Sequence, residues 1–127
     1  MTSPNPGIFK SFRAAPGSIA PYRIVTHGVT DGQVVQASGV TDALFGVTQQ
    51  LGPDGAGRVD ICLGGLPEIE IGGPVVRGDW LTSDAEGRAV AAAPDAGETA
   101  QVIGRALVSA IAGDIVAFQF APGQIAG

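Results

Sequence analysis

Charge is scarce in this sequence, and lysine is almost missing. Charged residues make up 15% of its 127 positions, and Lys10 is the only lysine; an average soluble domain carries about 25% charged residues. A domain this size with so few charges exposes small and apolar residues instead, which suits a surface that a partner covers. The net charge is −5 and the arginines are scattered singly. Phosphate neutralisation needs clustered cations, so a nucleic-acid surface is excluded. A biotinyl or lipoyl carrier domain needs a lysine at a hairpin tip, and Lys10 lies in the N-terminal segment instead. The single cysteine, Cys62, excludes an internal disulfide framework and a cysteine-based metal site. No apolar run approaches the roughly 18 residues of a membrane span, and residues 1–7 lack the apolar stretch of a signal peptide. The expectation is a protein made in the cytoplasm that stays soluble there or is assembled from there. One Trp and one Tyr are few for the stacking platform of a carbohydrate-binding accessory domain.

What the chain does have is 45% hydrophobic residues, 20 Gly and 9 Pro. That is enough apolar material for one core, punctuated too often for long helices. From Pro21 onward the apolar period is two. Tyr22, Ile24 and Thr26 alternate, and Val59, Ile61 and Leu63 share a face opposite Arg58, Asp60 and Cys62. Ile69 and Ile71 oppose Glu68 and Glu70, and Val116, Phe118 and Phe120 oppose Ile115, Ala117 and Gln119. Turn formers separate these runs at Asp31-Gly32, Gly52 to Gly55, Gly64-Gly65, Gly72 to Pro74, Glu86-Gly87 and Ala112 to Asp114. Short strands with turns every ten residues or so predict an all-β fold. The expected form is a small compact β-barrel or β-sandwich of short antiparallel strands with an extended N-terminal arm.

The expected organisation is an arm over 1–20, a β-rich core domain over 21–122 and a C-terminal tail over 123–127. Pro4, Pro6, Pro16 and Pro21 resist a regular ladder in the first segment, and Ile8, Phe9 and Phe12 have no evident place in a core. The run Ala89–Ala93 has room for at most one or two helical turns before Pro94 and Gly97. Two segments echo each other: Phe45-Gly46-Val47 returning through Val59–Gly64, and Ile103-Gly104-Arg105 returning through Ile115–Phe118. Each reads as a hairpin, and the two are expected to pair in one barrel.

Reactive side chains are few and isolated. His27 stands alone at a strand end, and a histidine works as base or ligand only with partners. Cys62 carries no thiol-nucleophile motif. Glu68 and Glu70 lie about 7 Å apart on one strand face, whereas acid–base pairs face each other across a cleft. Asp79, Asp84 and Glu86 do not match a calcium loop, and Asp84-Ala85-Glu86-Gly87 reads as an acidic hairpin turn. No serine elbow or phosphate loop is present. No catalytic, cofactor-binding or metal-binding residue is assigned, and the chain is expected not to be an enzyme. Trp80, following Gly78-Asp79 at a strand start, is read as a core residue in preference to an interface anchor.

The most distinctive stretch is Val76 to Val90, with the order Gly-Asp-x-Leu-x-x-Asp-x-x-Gly-x-Ala from Gly78 to Ala89. It reads as a turn, a short strand, an Asp-rich hairpin turn and a return strand. An Ile-Gly-x-Ala-Leu segment (Ile103 to Leu107) and an Ala-Gly-Asp-x-Val strand (Ala112 to Val116) follow, and Gly39 to Val47 precedes with its Phe-Gly-Val. In this order and spacing, over most of residues 20–120, the chain resembles the phage capsid decoration (cement) proteins. The resemblance implies a β-rich protein on the outside of an expanded head, at the capsid exterior of a virion, synthesised in the host cytoplasm. Its partner would be the major capsid protein; as a homo-oligomer, a trimer on the capsid, it would bridge neighbouring capsomers. By analogy with other head decoration proteins the N-terminal arm would pair with capsid strands, with Ile8, Phe9 and Phe12 as partner-binding anchors. The rival readings are a phage tail or fibre structural module, or a β-clip or carbohydrate-binding accessory domain.

Overall fold

Alternating apolar residues form the strands, and left-handed glycines turn the chain between them. The computed structural model describes residues 7–15, 19–50 and 53–127. Every regular element among them is a strand. β1 (Phe9–Ala14), β2 (Ile24–His27), β3 (Gln33–Gln36), β4 (Gly46–Thr48) and β5 (Arg58–Cys62) close into a barrel in the order β1-β3-β2-β4-β5. β6 (Glu68–Glu70), β7 (Trp80–Ser83), β8 (Ala89–Ala91), β9 (Thr99–Ala106) and β10 (Ile115–Ala126) form a second sheet in the order β6-β10-β9-β7-β8. Strand neighbours run antiparallel except β1 and β3, which are parallel. The all-β expectation is met.

The barrel strands feed two cores from opposite faces, as a period of two dictates. In β2, Val25 points into the barrel with Val34, Val59, Ile61 and Ile19. Its neighbour Ile24 points the other way, to a larger core between the sheets. Register explains the second set: Ile24 pairs with Val47, and Val47 with Cys62, so the three share a face. From the second sheet they meet Ile69, Ile71, Leu81, Ile103 and Phe118, all fully buried. Val116 and Phe120 pack on the same core, while Ile115 and Gln119 face outward.

Polar contacts lace the seam between the sheets. The Ile24 amide donates to the Gly87 carbonyl at 2.8 Å, so the turn joining β7 and β8 rests on the barrel. Gly87 has φ 75°, and a Cβ there would press on the Gln36 side chain and the Ile24 carbonyl. The Glu70 amide donates to the Tyr22 carbonyl, and Arg23 pairs with the Glu70 carboxylate at 3.2 Å. The fully buried Thr48 hydroxyl donates to the Ala20 carbonyl and accepts from the Arg23 amide.

Four expectations change. Residues 9–14 fall within the expected extended arm, but they are β1, paired with β5 from Phe9↔Cys62 to Arg13↔Arg58. The prolines bracket this strand instead of breaking it, and Phe12 and Ala14 turn inward against the barrel core. Residues 1–6 and 16–18 of the expected arm lie outside the described residues. The tail over 123–127 is also built in: after an irregularity between Phe120 and Gly123, the pairing resumes from Gly123↔Val102 to Ala126↔Thr99. Pro122-Gly123 therefore marks a bulge within a strand and not its end. Ala89–Ala91 is a strand, because Ala89 is needed in the core opposite Ser83. The two echoing hairpins exist as β4–β5 and β9–β10, but in different sheets.

Candidate functional site

The anchors expected at the N-terminus divide between two environments. Phe12 pairs with Val59 and faces the barrel interior, its ring edge-on to Phe45 at 5.5 Å. Ile8 and Phe9 remain on the surface, 66% and 50% exposed. Neither is loose: the Leu63 amide donates to the Ile8 carbonyl at 2.6 Å, and Phe9 is held opposite Cys62 by the ladder. Phe9 borders a depression of about 360 Å³ that Gln49, Gln50 and Asp60 also line. The result is a small apolar face rimmed by amides and a carboxylate, on an element with a fixed backbone. Such a face suits contact with another protein surface.

A second apolar face was not legible in the sequence. Val75 and Ala110 exchange backbone hydrogen bonds of 3.0 and 3.1 Å in an isolated bridge. This joins the loop before β7 to the loop after β9 and sets Val76, Leu107, Val108 and Ile111 near one another, 44–66% exposed. The Arg77 amide donates to the Ser109 hydroxyl across the same bridge. The only signal was four apolar residues among the five of Leu107–Ile111, where a turn should be polar.

The isolated reactive side chains hold structural posts. His27 is exposed and stacks on Phe45, with ring centroids 4.1 Å apart and planes 5° apart. The buried Cys62 thiol donates to the Gly64 carbonyl at 3.0 Å. Asp84 accepts from the Glu86 and Arg88 amides and pairs with the Arg88 guanidinium at 3.0 Å. That carboxylate raises the Arg88 pKa above its ordinary value, with Glu86 adding to the effect. Asp79 accepts from the Val76 amide, and Asp114 from the Ile111 amide. The acidic residues thus build turns, and among the described residues no three His, Cys, Asp or Glu side chains converge on a metal-sized site. Trp80 is half-buried, not in the core, because Leu81 takes the core face of β7 and the alternation turns Trp80 to the other face; there Arg105, opposite it in the ladder, lays its guanidinium over the ring at 4.5 Å.

The distinctive Gly78–Ala89 pattern occupies β7, β8 and their turn, and Ile103–Val116 supplies the end of β9 and the start of β10. The pattern therefore describes the second sheet and its docking turn, while the two exposed apolar faces lie beside it.

Comparison with known proteins rests on the fold. The sequence matches no protein-family model, and no curated protein is similar to it. Among solved structures, the chain is similar to one described as the head fiber gp8.5 N base in bacteriophage phi29, with a TM-score of 0.65 and 20% identity. The likeness covers 90% of this chain and 93% of that one, so it spans both sheets and establishes that they form a fold already built by another protein.

Proposed function

We propose that this chain is a non-enzymatic structural protein of a phage head. It binds the outer surface of the expanded shell, contacts the major capsid protein and bridges neighbouring capsomers as a trimer. The observation that carries the reading is the end-to-end likeness to the head fiber base of phi29. It joins an independent sequence resemblance to capsid decoration proteins, borne by the β7–β8 hairpin and the start of β10. The surface supports such a role. Charge is low, the barrel leaves no free edges in the first sheet, and two apolar faces stand exposed. Many weak contacts repeated over a shell add to a stable coat, because each trimer engages several sites at once. On this reading Ile8 and Phe9 touch the capsid directly, as a presented face and not as a free strand. Phe12 supports them from within the barrel.

The test is co-sedimentation of the purified protein with expanded heads and, separately, with tails. Binding to heads that saturates at a fixed number of copies per shell supports the reading. Binding to tails alone, or to neither, overturns it. A second reading, the base of a fibre that projects from the head, is favoured by the description of the phi29 structure. It keeps the head attachment and predicts radial projections on decorated heads in electron micrographs.

A further inference from the structure

Half of the large hydrophobic side chains exposed among the described residues stand together at one end of the second sheet. Of the ten, five are Val76, Leu107, Val108, Ile111 and Ile115. Val76 lies in the loop before β7, and the others span the connection from β9 into β10. The backbone beneath them is fixed. The Val75–Ala110 bridge and the bond from the Arg77 amide to the Ser109 hydroxyl join the two loops. The Gly78 amide donates to the Ala106 carbonyl at 2.7 Å, and the Gly113 amide to the Ile71 carbonyl at 2.8 Å. The Asp114 amide donates to the Ile111 carbonyl, while the Asp114 carboxylate accepts from the Ile111 amide. A partner therefore meets a preformed surface, and binding loses little ordering entropy.

Area and charge point to the occupant. The five side chains expose about 400 Å² of apolar surface, the scale of a functional patch on a small protein. A stable pairing covers about 800 Å² on each side, and the exposed Pro74, Arg77, Ser109, Ala112 and Gly113 extend the patch toward that size. On the Ile8–Phe9 face, amides and Asp60 crowd the rim. Here the apolar part dominates, as it does between copies of one chain. Each copy carries a net charge of −5, so copies attract one another only where opposite charges are brought together. The Arg77 guanidinium makes no hydrogen bond or ion pair among the described residues. Asp114 is exposed beyond Ile111, with one carboxylate oxygen engaged by the Ile111 amide and the other open. Asp79 is half-buried and turned to the Val76 amide. A cation and a carboxylate thus flank an apolar centre, and the face is complementary to itself.

We infer that copies of this chain bind one another through this face. Val76, Leu107, Val108 and Ile111 pack against the neighbouring copy, and Arg77 pairs with the next copy's Asp114. A cyclic arrangement repeats that pair around its axis and leaves no patch uncovered. The Ile8–Phe9 face is a separate surface and stays free. The inference rests on the head reading only for its use there, where it gives the trimer its contact face.

The test is the mass of the free full chain by light scattering, with dilution giving the dissociation constant. At about 100 µM, above the micromolar constants of weak interfaces of standard size, the expected mass is a whole multiple, greater than one, of 12.7 kDa. Ile111→Asp, at an exposed position, places an unpaired charge in the contact. It should weaken association at least about 100-fold and give the mass of one chain with an unchanged circular dichroism spectrum. Val76→Glu repeats the test from the other loop. Arg77→Glu should weaken association about fivefold, the scale of a rim ion pair, and Arg77→Lys should restore it. Val29→Asp, at a position 94% exposed in the barrel half, is the control and should keep the parent mass. Three outcomes overturn the inference: a parent with the mass of one chain, Ile111→Asp and Val76→Glu variants that associate like the parent, or a Val29→Asp variant that dissociates as they do. No heads are present, so failure here leaves head binding to co-sedimentation, and failure there leaves this contact standing.

Discussion

Gly104 stands where the two long strands of the second sheet come closest. A Cβ there would run into the Gln119 backbone carbonyl and against the Phe118 ring. The obstacle is main chain held in the β10 ladder, so it has no cheap way to yield. Gly104→Ala is expected to destabilise the protein by about 2 kcal/mol or more, the cost of overpacking a rigid site, read from urea midpoints. Gly39→Ala is the control: nothing lies within 4 Å of its added methyl, and its φ is not positive. That variant should leave the midpoint in place. The same logic applies at Gly46, where a Cβ would strike the Ile61 side chain. The two glycines of the echoing hairpins are thus explained by crowding and not by turn geometry.

Among the elements, β1 separates stability from binding within one strand. Phe12 fills the barrel against Phe45 and Val59, whereas Phe9 and Ile8 stand outside. Phe12→Ala should cost about 2–3 kcal/mol, below the usual loss for a fully packed aromatic because the ring is only half-buried. Ile8→Ala and Phe9→Ala should stay within about 0.5 kcal/mol of the parent, as exposed positions do. If the head reading holds, the exposed pair loses head binding at full stability, a split that sedimentation and urea unfolding measure together. Strands whose apolar residues alternate in unbroken runs, β5, β6 and β10, were legible because each shows both faces locally. β1 was not: only Phe12 and Ala14 turn inward, prolines flank it, and its partners β5 and β3 come from distant sequence. A parallel pairing such as β1–β3 leaves no local trace. The apolar face at Val76 and Leu107–Ile111 was hidden for the same reason, since one bridge between remote loops assembles it.

At the scale of the whole molecule, the two sheets share one core. Ile24, Val47 and Cys62 from the barrel interlock with Ile69, Leu81 and Phe118 from the second sheet. Cooperative unfolding follows from this shared core, which the barrel strands join to the barrel's own interior. The sole tryptophan, Trp80, sits in β7, so its fluorescence reports on the second sheet. Val47→Ala, a change in the barrel, should move the Trp80 transition and the far-ultraviolet circular dichroism transition by the same amount. A Trp80 transition that stays put while the circular dichroism shifts would mean two separately melting halves.

β10 is the longest strand, 12 residues running from β6 past β9 to the chain's last residues. Its ladder passes from β6 at Ile115–Ala117 to β9 from Phe118 to Ala126, one partner following the other along its length. A load along its axis strains the ladder bonds together, while a load across it opens them one at a time from Ala126 inward. The molecule is therefore mechanically anisotropic: stiff to shear along β10 and yielding to a pull that lifts its end. Any assembly that uses it as a tie must align that strand with the direction of tension.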